Sequence, residues 1–179
     1  MQFNPTELSG LLEVQFPRFL DDRGSFTRVF TSSIFEDTLG YLPIFRETFY
    51  SVSVRGVIRG MHFQVPPCVQ DKLVYVIGGI INDVVLDIRT ESPTFGQYIV
   101  RELSFENKKA LFIPKGFAHG FLSKSEQAVV AYMVTESWDP DCDKGIHYDS
   151  FGYDWNIEHP IVSTRDLNQT LFSNFISPF

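Results

Sequence analysis

The sequence predicts an all-β fold, a sandwich or a small barrel. Three observations predict it. Short runs rich in β-branched and aromatic residues recur along the whole chain, turn signals separate them, and only one segment reads as a helix. Leu11 to Phe16 reads as a first strand, ended by Pro17 and the polar stretch Asp21-Asp22-Arg23-Gly24, and Ser25 to Phe30 as a second. Ser32 to Leu39 is the one short helix, closed by Gly40. Phe45 to Val54 and Val57 to Gln64 follow as strands. Leu73 to Ile77 and Ile80 to Ile88 read as a hairpin turning on Gly78-Gly79. After the turn Ser92-Pro93-Thr94-Phe95-Gly96 come strands at Tyr98 to Leu103, Ala110 to Ile113 and Ala128 to Thr135. No repeat, linker or low-complexity segment interrupts the chain, so residues 1–179 are expected to form one domain.

Composition narrows the function classes. The net charge of -7 argues against binding a phosphate backbone, so no nucleic-acid partner is expected. No run of about 18 apolar residues occurs and the N-terminus lacks a signal-peptide pattern, so no membrane partner is expected either. Cys68 and Cys142 form neither a framework nor a CxxC pair, which reads as two free thiols in a reducing cytoplasm. Eighteen phenylalanines are more than one sandwich core is expected to hide, and point to apolar surface buried between two subunits.

The segment richest in chemistry is Gly56-Val57-Ile58-Arg59-Gly60-Met61-His62-Phe63-Gln64. Strand alternation puts His62 and Gln64 on one face and Met61 and Phe63 on the other, with Arg59 out of phase with the polar pair. A cation, an imidazole and an amide among glycines are an odd choice for a strand that only fills a core. Lys72 then opens a run of hydrophobics, and Pro114-Lys115-Gly116-Phe117-Ala118-His119-Gly120-Phe121 sets a second histidine among aromatics. The candidate groups are His62, His119, Lys72, Arg23, Arg59, Tyr132, Asp83, Asp87 and Asp166. A zinc or iron site is disfavoured, because position 64 is Gln where a second ligand would stand. No nucleophile elbow and no phosphate-binding glycine loop occurs. Acid–base chemistry remains: a histidine takes a proton, a tyrosine returns one and a lysine steadies an oxyanion.

These motifs, together with Phe19-Leu20-Asp21-Asp22-Arg23-Gly24-Ser25-Phe26, Asp83-Val84-Val85-Leu86-Asp87-Ile88-Arg89, Ser92 to Gly96 and Ser163-Thr164-Arg165-Asp166, resemble the dTDP-4-dehydrorhamnose 3,5-epimerase family, metal-free, cupin-like sugar-nucleotide epimerases. The resemblance implies a cupin-like jelly-roll β-sandwich with short peripheral helices, in a cytoplasmic homodimer that uses no cofactor. It implies epimerisation at C3, C5 or both of a 4-keto-6-deoxy sugar carried on a nucleoside diphosphate. His62 would be the base, Asp166 its dyad partner, Tyr132 the opposing acid and Lys72 the group that stabilises the enolate. His119, paired with Asp83, would line the sugar pocket, and Arg23, Arg59 and Arg165 would hold the diphosphate or the sugar.

Departures from the family pattern gather in the nucleotide region. Arg28 stands where the family has Glu, Glu47-Thr48-Phe49-Tyr50-Ser51 where it reads Gln-x-Asn-x-Ser, Trp138 where it has Tyr and Asp143 where it has Glu. With Phe26 and Gln64, these positions (Arg28, Glu47, Phe49, Trp138 and Asp143) complete the expected substrate-binding set. A CDP- or GDP-linked substrate, inversion at C3 alone, and a non-catalytic sugar-nucleotide-binding cupin are the alternatives left open.

Overall fold

The computed structural model describes all 179 residues. Its elements in chain order are β1 (Gln2–Pro5), β2 (Leu12–Gln15), β3 (Arg18–Asp21), β4 (Gly24–Thr27), α1 (Ser32–Leu39), β5 (Glu47–Val54), β6 (Val57–Gln64), β7 (Lys72–Gly78), β8 (Ile80–Asp87), β9 (Tyr98–Ser104), β10 (Lys109–Ile113), β11 (Phe117–Ser123), β12 (Gln127–Val134), β13 (Asp143–Gly145), β14 (Ile161–Val162) and α2 (Thr164–Leu167). One six-stranded sheet runs β1-β2-β10-β7-β12-β5. The other runs β13-β6-β11-β8-β9, with β14 added parallel to β6. β3 and β4 form a separate hairpin. The arrangement is a jelly-roll sandwich, as the sequence predicts, and no helix is long and apolar enough to cross a membrane.

Strand parity explains why the strands read as continuous apolar runs. Ile81 and Val85 of β8 enter a central cluster with Val74 and Val76 of β7, Leu111 and Ile113 of β10, and Val130 of β12, which joins the two sheets. Val84 and Leu86 point the other way, into a cluster closed by Ile146, Phe151 and Trp155. Ala110 and Phe112 likewise turn outward, against Phe16 and Phe35 of α1. Each sheet is therefore apolar on both faces. Three clusters within one chain take up most of the phenylalanine load that seemed to need a partner, with Phe16, Phe35, Phe63, Phe112, Phe117, Phe121 and Phe151 all buried. Phe19 and Phe26, on the β3–β4 hairpin, stay exposed.

The helix ends as expected: Gly40 adopts φ 76° and its N–H caps Glu36 O at 2.9 Å. Four expectations are corrected. Gly78-Gly79 does not turn a hairpin; β7 and β8 lie in different sheets, and the chain crosses between them at Gly79, where a Cβ would meet Gln127 O and Ser125 Oγ. The second strand is shorter than predicted, so Arg28 falls beyond β4. Cys68 and Cys142 are not free thiols but a disulfide, with Cα atoms 6.0 Å apart, so cysteine usage no longer argues for a reducing compartment.

The fourth concerns β6. Its pairing with β11 runs His62 opposite His119 and Arg59 opposite Phe121, so the register slips by a residue between them. Gly60, at φ 144°, sits at the slip. A bulge of this kind breaks simple alternation. It lets Arg59 share a cavity with His62 and Gln64, against the out-of-phase arrangement expected.

A Cβ placed on Gly60 would lie 2.5 Å from Gly120 Cα, in a backbone region that side chains rarely adopt. Gly60→Ala should therefore cost on the order of 3 kcal/mol through strain and overpacking. Thermal unfolding should show the midpoint falling by about 6–12 °C for a chain of this size. An unchanged midpoint would contradict the close crossing.

Candidate active site

Both sheets build one polar cavity of about 260 Å³. β5 contributes Phe49 and Ser51, β6 contributes Arg59, His62, Phe63 and Gln64, β7 opens with Lys72, and β11 and β12 add His119 and Tyr132. Gln70, Trp138, Asp143 and Arg165 close its rim.

At the cavity wall His62 Nε2 meets Asp166 Oδ1 at 2.7 Å. α2 exists to aim that carboxylate: Ser163 caps it by accepting from Asp166 N–H at 3.1 Å, and Asp166 turns inward with 3% exposure. Asp166 Oδ2 accepts from Gly60 N–H at 3.3 Å. Burial pushes the Asp166 carboxyl up, but the His62 hydrogen bond and charge, the Gly60 N–H and Arg165 together hold it below the usual range. The ionised carboxylate favours the tautomer with the proton on Nε2, which leaves the Nδ1 lone pair of His62 free of any protein partner.

The opposite sheet presents Tyr132. Its ring stacks on Phe49 at 4.8 Å and meets the His119 ring edge-on at 6.0 Å. Burial, reinforced by the Asp83 charge, pushes its hydroxyl well up, so it keeps its proton. His119 Nε2 in turn bonds Asp83 Oδ2 at 2.8 Å, both groups being buried. Burial drives the Asp83 carboxyl above its usual range against the pull of His119 and Lys72. Lys72 Nζ donates to His62 O at 3.4 Å. Desolvation lowers its pKa to about 8, opposed by Asp143 and Asp83 and assisted by Arg165.

Of the residues singled out from sequence, Phe49, Arg59, His62, Gln64, Lys72, His119, Tyr132, Trp138, Asp143 and Arg165 line the cavity, and Asp166 abuts it through His62. Glu47 stands behind the rim, accepting from Trp138 N–H at 2.9 Å. Asp143 accepts from Trp138 Nε1 at 2.9 Å and pairs with Arg165 at 2.8 Å. The amide of Gln64 is committed to backbone, donating to Cys68 O and Ser137 O and accepting from Asp139 N–H. Asp87, the remaining candidate, is held by Arg89, Ser92 and Thr94, away from the cavity.

Arg23, Phe26 and Arg28, expected to help complete a partner's pocket, stand outside the cavity of their own chain. Arg23 pairs with Asp21 on the β3–β4 turn, Phe26 is 57% exposed and the Arg28 guanidinium lies 5.6 Å from the Phe26 ring. No residue of the β3–β4 hairpin lines the cavity. Sequence reasoning passed over Ser51, Phe63 and Gln70. Ser51 was findable, since it sits two residues after Phe49 on one strand face. The one tight trio of metal-ligating side chains, Cys68, Asp139 and Cys142, has both sulfurs in the disulfide and offers only a carboxylate.

A family model described as dTDP-4-dehydrorhamnose 3,5-epimerase matches residues 5–174. The dTDP-4-dehydrorhamnose 3,5-epimerase of Shigella flexneri is 37% identical over 93% of each chain. A dTDP-4-dehydrorhamnose 3-epimerase of Streptomyces niveus is 31% identical over 97% of this chain and 84% of its own. The solved Legionella pneumophila dTDP-6-deoxy-D-glucose-3,5-epimerase, in complex with dTDP-4-keto-L-rhamnose, superposes with a TM-score of 0.92 at 36% identity, covering 98% of this chain and 94% of that one.

The Lys72 shift has a measurable consequence for stability. An ammonium with its pKa lowered from 10.5 to about 8 destabilises the fold fully below pH 8. Between about pH 8 and 10.5 the unfolded chain binds the extra proton, so this penalty is relieved as pH rises. Lys72→Met should unfold at a higher temperature than the parent at pH 7, by about 1–3 kcal/mol in stability. The gap should close towards pH 10.5 in a calorimetric pH series. A gap that stays constant with pH would remove the desolvated cation.

Proposed function

This chain belongs to the dTDP-4-dehydrorhamnose 3,5-epimerase family, and from that premise we propose how its own residues work. It is a sugar-nucleotide epimerase, an isomerase. His62, through Nδ1, takes the proton from the carbon beside the C4 ketone of a 4-keto-6-deoxy sugar. The electron pair moves onto the C4 oxygen as an enolate, beside the Lys72 ammonium. Tyr132 then gives its proton to that carbon from the other face, which inverts the centre. Solvent resets His62 and Tyr132, and no group outside the side chains takes part in this scheme.

One observation carries the reading. A carboxylate-oriented imidazole from one sheet and a firmly protonated phenol from the other border the same cavity, and Lys72 is in its lining too. A base and an acid set on opposing walls suit inversion, whereas mere binding needs neither. Arg59 and Arg165, both at the cavity, are the groups for the diphosphate, and His119 with Asp83 backs the sugar. Arg23 and Phe26 lie on an exposed hairpin and Arg28 just beyond it, which suits delivery into a second subunit's cavity; the functional unit is then a homodimer in the cytoplasm, each chain a single domain of residues 1–179. Arg28, Glu47 and Phe49 depart from the family pattern where the nucleotide and sugar meet the protein, so the base carried by the substrate is the open choice among dTDP, CDP and GDP.

The test is incubation with dTDP-, CDP- and GDP-linked 4-keto-6-deoxyhexoses in D₂O, with deuterium at C3 and C5 read by NMR. Deuterium at one centre or both, with one nucleotide preferred, is expected; none with any substrate sinks the reading. His62→Ala should lose at least about 10²-fold of the exchange at every centre, and Asp166→Asn less, since it only misorients the ring. Tyr132→Phe should behave differently. Its base is intact, so deuterium should still enter the substrate while inversion falls by about 10²-fold or more. Inversion at the parent rate in Tyr132→Phe would assign the acid elsewhere.

A further inference from the structure

Two loops form the rim of the cavity. Residues 65–71 run from β6 to β7 and include Gln70; residues 135–142 run from β12 to β13 and include Trp138, with Asp143 immediately after. Val65 is the one loop residue packed against a core cluster. Pro66, Pro67, Ser137 and Trp138 are exposed, no residue from 65 to 71 is fully buried, and Cys142 is the one buried residue in the second loop. Hydrogen bonds tie them, among them Asp71 N–H to Thr135 Oγ1 at 2.8 Å, Thr135 N–H to Asp71 O at 3.1 Å and Trp138 N–H to Glu47 Oε2 at 2.9 Å. The Gln64 amide reaches Cys68 O at 2.9 Å, Ser137 O at 3.1 Å and Asp139 N–H at 2.7 Å, and Val65 N–H donates to Cys142 O at 2.9 Å. Beside them, Cys68 and Cys142 join the loops covalently across a separation of 74 residues.

We infer that the Cys68–Cys142 disulfide is a redox site that sets how tightly the cavity holds its ligand. Closed, it keeps the second loop against the first, with Trp138 hydrogen-bonded to Asp143 and Asp143 paired to Arg165 at the rim. Opened, it leaves that alignment to hydrogen bonds alone, and around Cys68 and Cys142 themselves only the Gln64 amide and Val65 N–H still hold the loops together. The reactant is a dithiol reductant. Its thiolate attacks Cys68, the less buried of the two, the S–S bond breaks, and Cys142 leaves as a thiolate that takes up a proton. The second thiol of the donor then displaces Cys68, which takes up a proton in turn. Two electrons and two protons pass to the cysteines, and the donor ends as its own disulfide. His62, Tyr132 and Asp166 lie on β6, β12 and α2, outside both loops. Reduction therefore acts on binding and leaves the proton transfers in place.

This inference rests on the cavity being the sugar-nucleotide site, and its test separates the two. The purified protein, prepared without reductant, is titrated for thiols under denaturing conditions before and after dithiothreitol. Its kinetics and amide hydrogen exchange are then compared in both states and in Cys68→Ser. Expected are no thiols before treatment and both cysteines after it. Reduction should raise KM roughly five- to tenfold, the cost of re-ordering the rim at each binding event, with kcat within about twofold. Amides of residues 65–70 and 137–142 should exchange faster. Cys68→Ser should show the raised KM from the start and ignore dithiothreitol. Both thiols free in the untreated protein, or a KM and loop exchange indifferent to reduction, overturns the inference. Were the chain to epimerise none of the sugars, the function reading alone would fail. Thiol count, loop exchange and calorimetric binding of thymidine diphosphate in the two states would still decide this one.

Discussion

β6 and β11 meet at two glycines, and most of the cavity depends on that meeting. Gly60 and Gly120 approach so closely that a Cβ on either would strike the other strand, at 2.5 Å from Gly120 Cα in one direction and 2.8 Å from Arg59 O in the other. The slip in pairing there turns Arg59 towards the side that His62 and Gln64 already face. It also frees the Gly60 N–H from the ladder to meet Asp166 Oδ2. A single irregularity thus aligns the guanidinium and the imidazole, and helps fix the carboxylate that orients the imidazole. A regular ladder would have put the arginine on the opposite face.

Around that crossing the protein sets charges by burial. Asp166 gains enough from His62, Gly60 and Arg165 to stay ionised although buried, while Tyr132 and Lys72 are driven towards their neutral forms by the same desolvation. The result is an ionised carboxylate beside the His62 imidazole on one sheet and a phenol that keeps its proton on the other. Asp83 is the less settled member: its Oδ2 is bonded to His119, its Oδ1 has no partner, and burial raises its pKa.

Much of this was legible in the residues. Val57 to Gln64 and Ser32 to Leu39 were bounded correctly because glycines and a capping turn mark their ends. Short elements escaped: β1, β3, β13, β14 and α2 have too few residues to show a period, and β13, β14 and α2 are held by partners distant in sequence. The Gly78-Gly79 turn was misread as a hairpin since a glycine pair permits a tight reversal and a change of sheet equally well. The cysteine pair was misread for a related reason. Cys68 and Cys142 carry no local spacing signal, and only the folding of two loops onto Gln64 brings them together.

The half-neutral Lys72 couples ligand capture to protons. Near pH 8 this side chain is charged in only part of the empty molecules, because desolvation weighs against the cation. Any anionic group that binds beside Nζ adds negative charge there and draws the missing protons from the medium. Capture in that pH range is then accompanied by a fractional proton uptake. The heat of binding accordingly changes with the ionisation enthalpy of the buffer, and affinity declines on the alkaline side even where every hydrogen bond to the ligand is retained.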